Sequence, residues 1–191
     1  MSEERPQVVR AAGFELTDAR GVVLARLGTD PDGSVSLDVF AAHGAPRASL
    51  GVAGDGIAGV SLSDSEGRAR ARIAVTHVGE ATVELMDEAG AERLELRSQA
   101  GVEGRPLLTV RDVGGTVRLV AGIDDQGSAQ VTVCDAGGRG RLGLVVGATG
   151  ASAILKDRNG VVRATVSEVE PDGASRLALY DEYGNPAWVA P

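Results

Sequence analysis

Aromatic residues are scarce in this chain, at 3% of 191 residues, so a core has to be built from Ala, Val, Leu and Ile. The same scarcity leaves few rings for the platforms that bind sugars: Phe40, Tyr180 and Tyr183 are the ones available to an outward surface. A single cysteine, Cys134, excludes an intramolecular disulfide framework, and its parity predicts a surface or half-covered thiol. The two histidines, His43 and His77, stand in or beside turns with no cysteine or second histidine at ligand spacing, so no metal site is expected. The acidic turns Asp30/Asp32 and Asp124/Asp125 lack the spacing of a calcium loop. No P-loop, GxSxG or HExxH occurs, and no cofactor or catalytic residue is predicted. Gly137-Gly138-Arg139-Gly140 is glycine-rich but closes a strand turn and opens no helix, which makes it a poor phosphate cradle.

Long apolar runs are missing too. None approaches the length of a membrane-spanning helix, and Met1-Ser2-Glu3-Glu4-Arg5-Pro6 lacks the basic and apolar regions of a signal peptide, so the expected location is cytoplasmic. A net charge of −8 argues against nucleic-acid or anionic-membrane partners reached by bulk electrostatics.

What the chain has in quantity is glycine, 27 residues of it, at a fixed period. One series falls at Gly21, Gly44, Gly67, Gly90, Gly115, Gly138, Gly160 and Gly184, in steps of 22 to 25 residues. A second falls at Gly33, Gly56, Gly79, Gly104, Gly127, Gly150 and Gly173. A period of this length is the signature of a repeat architecture. The unit is apolar-x-apolar-x-Asp-x-x-Gly-x-x-Arg-x-x-apolar, as in Val60-Ser61-Leu62-Ser63-Asp64-Ser65-Glu66-Gly67-Arg68-Ala69-Arg70-Ala71-Arg72-Ile73. Apolar residues alternate with period 2 on both sides of the turn, for example Val60/Leu62 and Ala71/Ile73, which predicts two short strands per repeat. Eight repeats then give an all-β chain of about sixteen strands, a stacked array of antiparallel β-hairpins without helices. No repeat can bury enough surface to fold alone, so neighbours or other chains must supply the rest. Residues 1–12 read as a polar arm and residues 13–191 as one repeat domain, with a candidate midpoint near 98–106 where the connection lengthens.

The Asp and Gly of the unit have a local cause. At the first position of a type I turn an Asp carboxylate accepts backbone N–H bonds, and Gly at the fourth position takes the positive φ that other residues resist. Asp18-Ala19-Arg20-Gly21, Asp30-Pro31-Asp32-Gly33 and Glu170-Pro171-Asp172-Gly173 fit this pattern, while repeat 2 places Ala41 where the Asp belongs.

Strand parity across the turns poses a problem. At Asp30–Gly33 a simple hairpin pairs Leu27 with Leu37 and Ala25 with Val39, all on one face. At Asp64–Gly67 the same rule sets Leu62 against Arg70 and Val60 against Arg72. Either that loop holds one residue more, or the chain crosses there between two facing sheets. A two-layer stack is the preferred expectation, because a single sheet with one apolar face could not hide that face by itself. A double period points the same way: even repeats carry Phe40, Met86, Cys134 and Tyr180 before the Asp slot, odd ones Thr17, Ser63, Arg111 and Lys156. Against a sixteen-stranded membrane barrel stand the short strands and the absence of aromatic girdles.

Arg47, Arg70, Arg93, Arg118, Arg141 and Arg163 recur three residues after the turn Gly. The ladder is expected to be solvated, paired with outward acids such as Asp38 and Glu84, in preference to gripping a polyanion. Phe40, Met86, Tyr180, Arg70, Arg93 and Arg118 form the candidate interaction surface.

The tandem pattern, as in Val83-Glu84-Leu85-Met86-Asp87-Glu88-Ala89-Gly90 and Leu155-Lys156-Asp157-Arg158-Asn159-Gly160-Val161-Val162-Arg163, resembles bacterial tandem β-hairpin repeat proteins that are themselves uncharacterised. The resemblance covers residues 14–191 and implies no known activity. MORN repeats are similar in period and hairpin content, but their repeated Tyr and paired glycines are absent, so their roles are not carried over. The functional expectation is a non-enzymatic structural or assembly protein that associates with itself or with another protein. The alternative is a binding module for polysaccharide or peptide on an outward sheet face.

Overall fold

Alternation, turn chemistry and β-branched content are realised locally throughout the described residues. The computed structural model describes residues 10–98, 105–148, 150–169 and 174–190, and contains no helix among them. Strands follow in order as β1 (Gly13–Thr17), β2 (Val23–Thr29), β3 (Val35–Phe40), β4 (Pro46–Val52), β5 (Ala58–Ser63), β6 (Ala69–Val75), β7 (Ala81–Met86) and β8 (Glu92–Ser98). The series continues with β9 (Pro106–Arg111), β10 (Val117–Ile123), β11 (Ala129–Cys134), β12 (Gly140–Gly147), β13 (Gly150–Lys156), β14 (Val162–Val169), β15 (Ala174–Tyr180) and β16 (Pro186–Ala190). The chain divides into two compact units, Met1–His77 and Val78–Pro191. The candidate midpoint near 98–106, the arm at 1–9 and the turn at 170–173 fall largely outside the described residues.

In the first unit β1 to β6 pair in sequence order, each antiparallel to the next. In the second, β7 to β16 do the same. Within each unit a strand touches only its sequence neighbours, so each unit is one layer of hairpins with no second sheet stacked upon it.

The parity problem is solved by a bulge. At the turn after β5, Ser63 pairs with Ala69 and Leu62 with Ala71, leaving Arg70 as an extra residue between them. That extra residue returns Ala71 and Ile73 to the side of Leu62 and Val60, and the chain never has to cross to a second layer. The shift recurs at the corresponding turn of every hairpin, and the unpaired residue is in turn Leu24, Arg47, Arg70, Arg93, Arg118, Arg141, Arg163 and Ala187. The pairings of β2 with β3, β4 with β5, β10 with β11 and β12 with β13 carry no such shift: after Asp30–Gly33, Thr29 pairs with Val35 and Leu27 with Leu37.

With the registers fixed, the apolar positions fall into two unbroken rows across each unit. In the second unit one row runs Val83, Leu96, Leu108, Ala121, Val131, Leu144, Ala153, Val166, Leu177 and Ala190. Its companion runs from Leu85 through Leu119 and Leu142 to Leu179 and Trp188. The first unit carries the same two rows, one from Phe14 to Ile73 and one from Leu16 to Ala71.

Opposite them lies a polar face, and burial is concentrated there. Among the described residues the buried ones are Ala74, Cys134 and Ala178 with Glu95 and Thr109, all on that face, and no large side chain is fully buried. The expectation of a surface or half-covered Cys134 is therefore corrected: the residue is 8% exposed, in a strand flanked on both sides and with the Arg118 side chain bonded to its carbonyl. Trp188 stands with the apolar rows, as its parity predicts, but remains 49% exposed.

Small residues set the strand spacing at one level of the first unit. Gly13, Gly28, Ser36, Gly51, Gly59 and Ala74 lie side by side across β1 to β6 on the polar face. A Cβ on Gly51 would sit 2.4 Å from the carbonyl oxygen of Val35, and one on Gly59 2.8 Å from that of Ile73. Glycine is used here for close backbone approach, a different reason from the turns.

Candidate interaction surface

The turn Asp residues do what their position predicts. Asp64 Oδ1 accepts the N–H groups of Glu66 at 2.9 Å and Arg68 at 3.1 Å, and the Gly67 N–H donates to the Asp64 carbonyl at 3.1 Å. Gly67 holds φ at 81°, and no non-glycine residue takes a positive φ among those described. Asp18, Asp87, Asp112, Asp135, Asp157 and Asp181 repeat the arrangement.

In five of these turns the second carboxylate oxygen meets the bulge arginine, whereas Asp18 Oδ2 accepts from Arg20 and Asp181 Oδ2 from Asn185. Arg70 lies 3.6 Å from Asp64, Arg118 3.4 Å from Asp112, Arg141 3.2 Å from Asp135 and Arg163 4.0 Å from Asp157. Arg93 Nε donates to Asp87 Oδ2 at 2.7 Å. The guanidinium then reaches the next hairpin. Arg47 donates to the Ser63 carbonyl at 2.9 Å, Arg118 to that of Cys134 at 3.1 Å, and Arg141 to that of Lys156 at 2.8 Å. Arg93 donates to the carbonyls of Asp112 and Val113. Arg93, Arg118 and Arg141 thus tie their own turns to the following hairpin, where pairing with outward acids such as Asp38 was expected; Asp38 faces Arg26 at 3.9 Å instead. These arginines are bound into the sheet margin and do not form an open cationic ladder.

Hydrogen bonding shifts the carboxyls of Asp18, Asp64, Asp87 and Asp135 to more acidic values. For Asp18 the N–H groups of Val22 and Arg20 lead, for Asp87 the Arg93 side chain followed by the Ala91 N–H, and for Asp135 the Arg139 N–H. At Asp64 loss of water acts upward, but the Arg68 side chain and backbone bonds outweigh it and bring the group down to about 2. An unfolded chain takes up these protons near 3.8, above the folded values, so acid favours unfolding between the two. This stabilisation is complete above about pH 4 and is expected to fade as pH falls toward about 2. Thermal melts from pH 5 to pH 2 check it: the midpoint should drop across that window, and an unchanged midpoint would show that the carboxylate bonds form equally in the unfolded chain.

The sequence-predicted surface residues separate into two sets. Phe40, Met86 and Tyr180 occupy equivalent positions on the polar face, opposite Pro46, Glu92 and Pro186, and each is half-buried. Within the second unit Met86 and Cys134 are four strands apart, roughly 19 Å, with Arg111 between them, so they do not join into one patch. The Tyr180 hydroxyl lies 3.4 Å from Thr165 Oγ1. Arg93 and Arg118 do meet, through Asp112, whose carbonyl accepts from the first and whose carboxylate accepts from the second.

Two features were not predicted. On the polar face of the second unit Glu95 pairs directly with Glu84 and is 7% exposed. Arg97 neutralises it at 2.7 Å while lying 3.4 Å from Glu80, and the hydrogen bond it donates to Glu95 raises the guanidinium pKa. The other feature is the apolar face itself. Leu85, Leu96, Leu144, Leu155, Val166 and Leu179 are each 44 to 52% exposed, and most large members of the rows in both units are exposed as well. The sequence marks these residues as core; the structure places them on a surface.

No known family matches the sequence, and no curated protein matches it. Among solved structures, the chain is similar to the TCP domain of SAS-4 (dCPAP) of Drosophila melanogaster, solved in complex with a proline-rich motif of Ana2 (dSTIL). The two share 15% identity with a TM-score of 0.45, over 93% of this chain and 97% of that one.

Proposed function

We propose that this is a non-enzymatic structural or assembly protein, a rigid tandem of hairpins whose task is to associate through its sheet surface. The observation that carries the reading is the pair of continuous apolar rows left open on a single-layer sheet. A sheet that is apolar on one face has to bury that face against another layer, and open apolar surface of this extent on a soluble chain marks an association site. The regular repeat resembles that of the bacterial hairpin-repeat proteins, and an array of near-identical structural units suits an assembly role. Sizing of the tagged chain in extracts of its own cells tests this. The expected species is much larger than the 19.5 kDa of one chain; elution at that mass both in extract and when pure would overturn the reading.

A further inference from the structure

We infer that the apolar face of the second unit is covered by the same face of a second copy of this chain, making a two-layer β-sandwich across a two-fold axis. The inference rests on the assembly reading and names its surface and its partner.

The size of the face comes first. Ten strands at about 4.8 Å spacing and about 20 Å long present on the order of 900 Å². A standard specific interface takes about 800 Å² from each partner, so this face alone suffices. The six strands of the first unit offer under about 600 Å² by the same measure and fall short.

The chemistry of the face comes next. Both rows are apolar at every strand, from Val83 and Leu85 to Ala190 and Trp188, so nothing on them selects a charged or hydrogen-bonding occupant. An occupant must instead be apolar, match the twist of the sheet and repeat at the same strand spacing. A second copy meets all three conditions, since equally twisted sheets pack aligned at about −30° with interdigitating inner faces. Two-fold pairing of one patch with itself is also the commonest closed arrangement of identical chains. The second layer expected from the repeat is then supplied by another molecule.

The test uses the full chain, a Leu144→Glu/Leu155→Glu variant at the centre of the rows, and Ser152→Glu on the polar face of β13. Sedimentation should show wild type and Ser152→Glu as dimers at about 50 µM, and the double variant as a monomer with an unchanged circular dichroism spectrum. Both leucines are about half exposed in the single chain, so the charges are tolerated there. Trp188, the only tryptophan, lies on the same face and supplies a second readout that does not depend on a variant folding. Its quenching by acrylamide should fall several-fold as wild type is concentrated through the association range. A dimer with Trp188 still fully quenchable, or one that survives in the folded double variant, would overturn the inference by locating the contact elsewhere. So would a wild-type monomer at every concentration; if that monomer still enters a large particle in extract, the assembly reading stands with a different partner.

Discussion

Gly51→Val should lower stability by about 3 kcal/mol or more, well beyond Gly90→Ala at about 1 kcal/mol. The two glycines exist for different reasons. Gly90 turns the chain at φ 78° with open space where a Cβ would go, so its replacement meets only the backbone penalty of the left-handed region. Gly51 has ordinary strand geometry, but a Cβ there would come within 2.4 Å of the Val35 carbonyl oxygen and 3.1 Å of Ser36 Cα. Those atoms belong to the neighbouring strand, and moving them breaks the pairing of β3 with β4. Urea unfolding of the two variants beside wild type decides the order. Should Gly51→Val cost no more than Gly90→Ala, the close approach of β3 and β4 is not required for stability.

Arg93→Ala should cost about 2 kcal/mol, where a freely solvated arginine costs a few tenths. Its side chain is 22% exposed and donates to the Asp87 carboxylate and to the carbonyls of Asp112 and Val113. Removal strips donors from a turn and from the next hairpin together, and bonds to charged groups are the stronger kind. Arg20, paired with Asp18 but with a side chain 74% exposed, is the matched control and should change little when replaced by Ala. An Asp87→Asn background should remove much of the Arg93 effect, because the two act as one connection. Equal melting points for Arg93→Ala and Arg20→Ala would return the bulge arginines to the status of solvated surface residues.

Strand and turn positions were legible in the sequence because both are local. The period-2 pairs Phe14/Leu16 and Leu37/Val39 lie in the apolar rows, and the Asp–Gly turns carry the predicted bonds. The number of layers was not legible, because it hung on a single residue in each hairpin. A parity rule that assumes an uninterrupted ladder sets Leu62 against Arg70, and the bulge sets it against Ala71. The signal was nonetheless present: the same mismatch arises at each Asp-type turn, with Arg at the mismatched place in six of eight copies. An extra residue repeated that faithfully marks a built-in irregularity of the strand and leaves each unit in one layer. The open apolar face was overlooked for a related reason. Phe40, Met86 and Tyr180 drew notice as unusual residues, while the ordinary leucines of the repeat, read as interior, stand in the open.

The bulge arginine has a consequence for how such a chain changes length. Because Arg93, Arg118 and Arg141 each grip the carboxylate of their own hairpin and main-chain carbonyls of the next, the connection asks nothing of the neighbour's side chains. Hairpins joined by so undemanding a coupling are interchangeable cassettes. A gene duplication that copies one 23-residue segment inserts a module whose parity, turn and coupling are already correct, and a deletion of one leaves the flanking modules able to join. Selection on such a protein can therefore adjust the breadth of its surface in whole hairpins, without redesigning a residue.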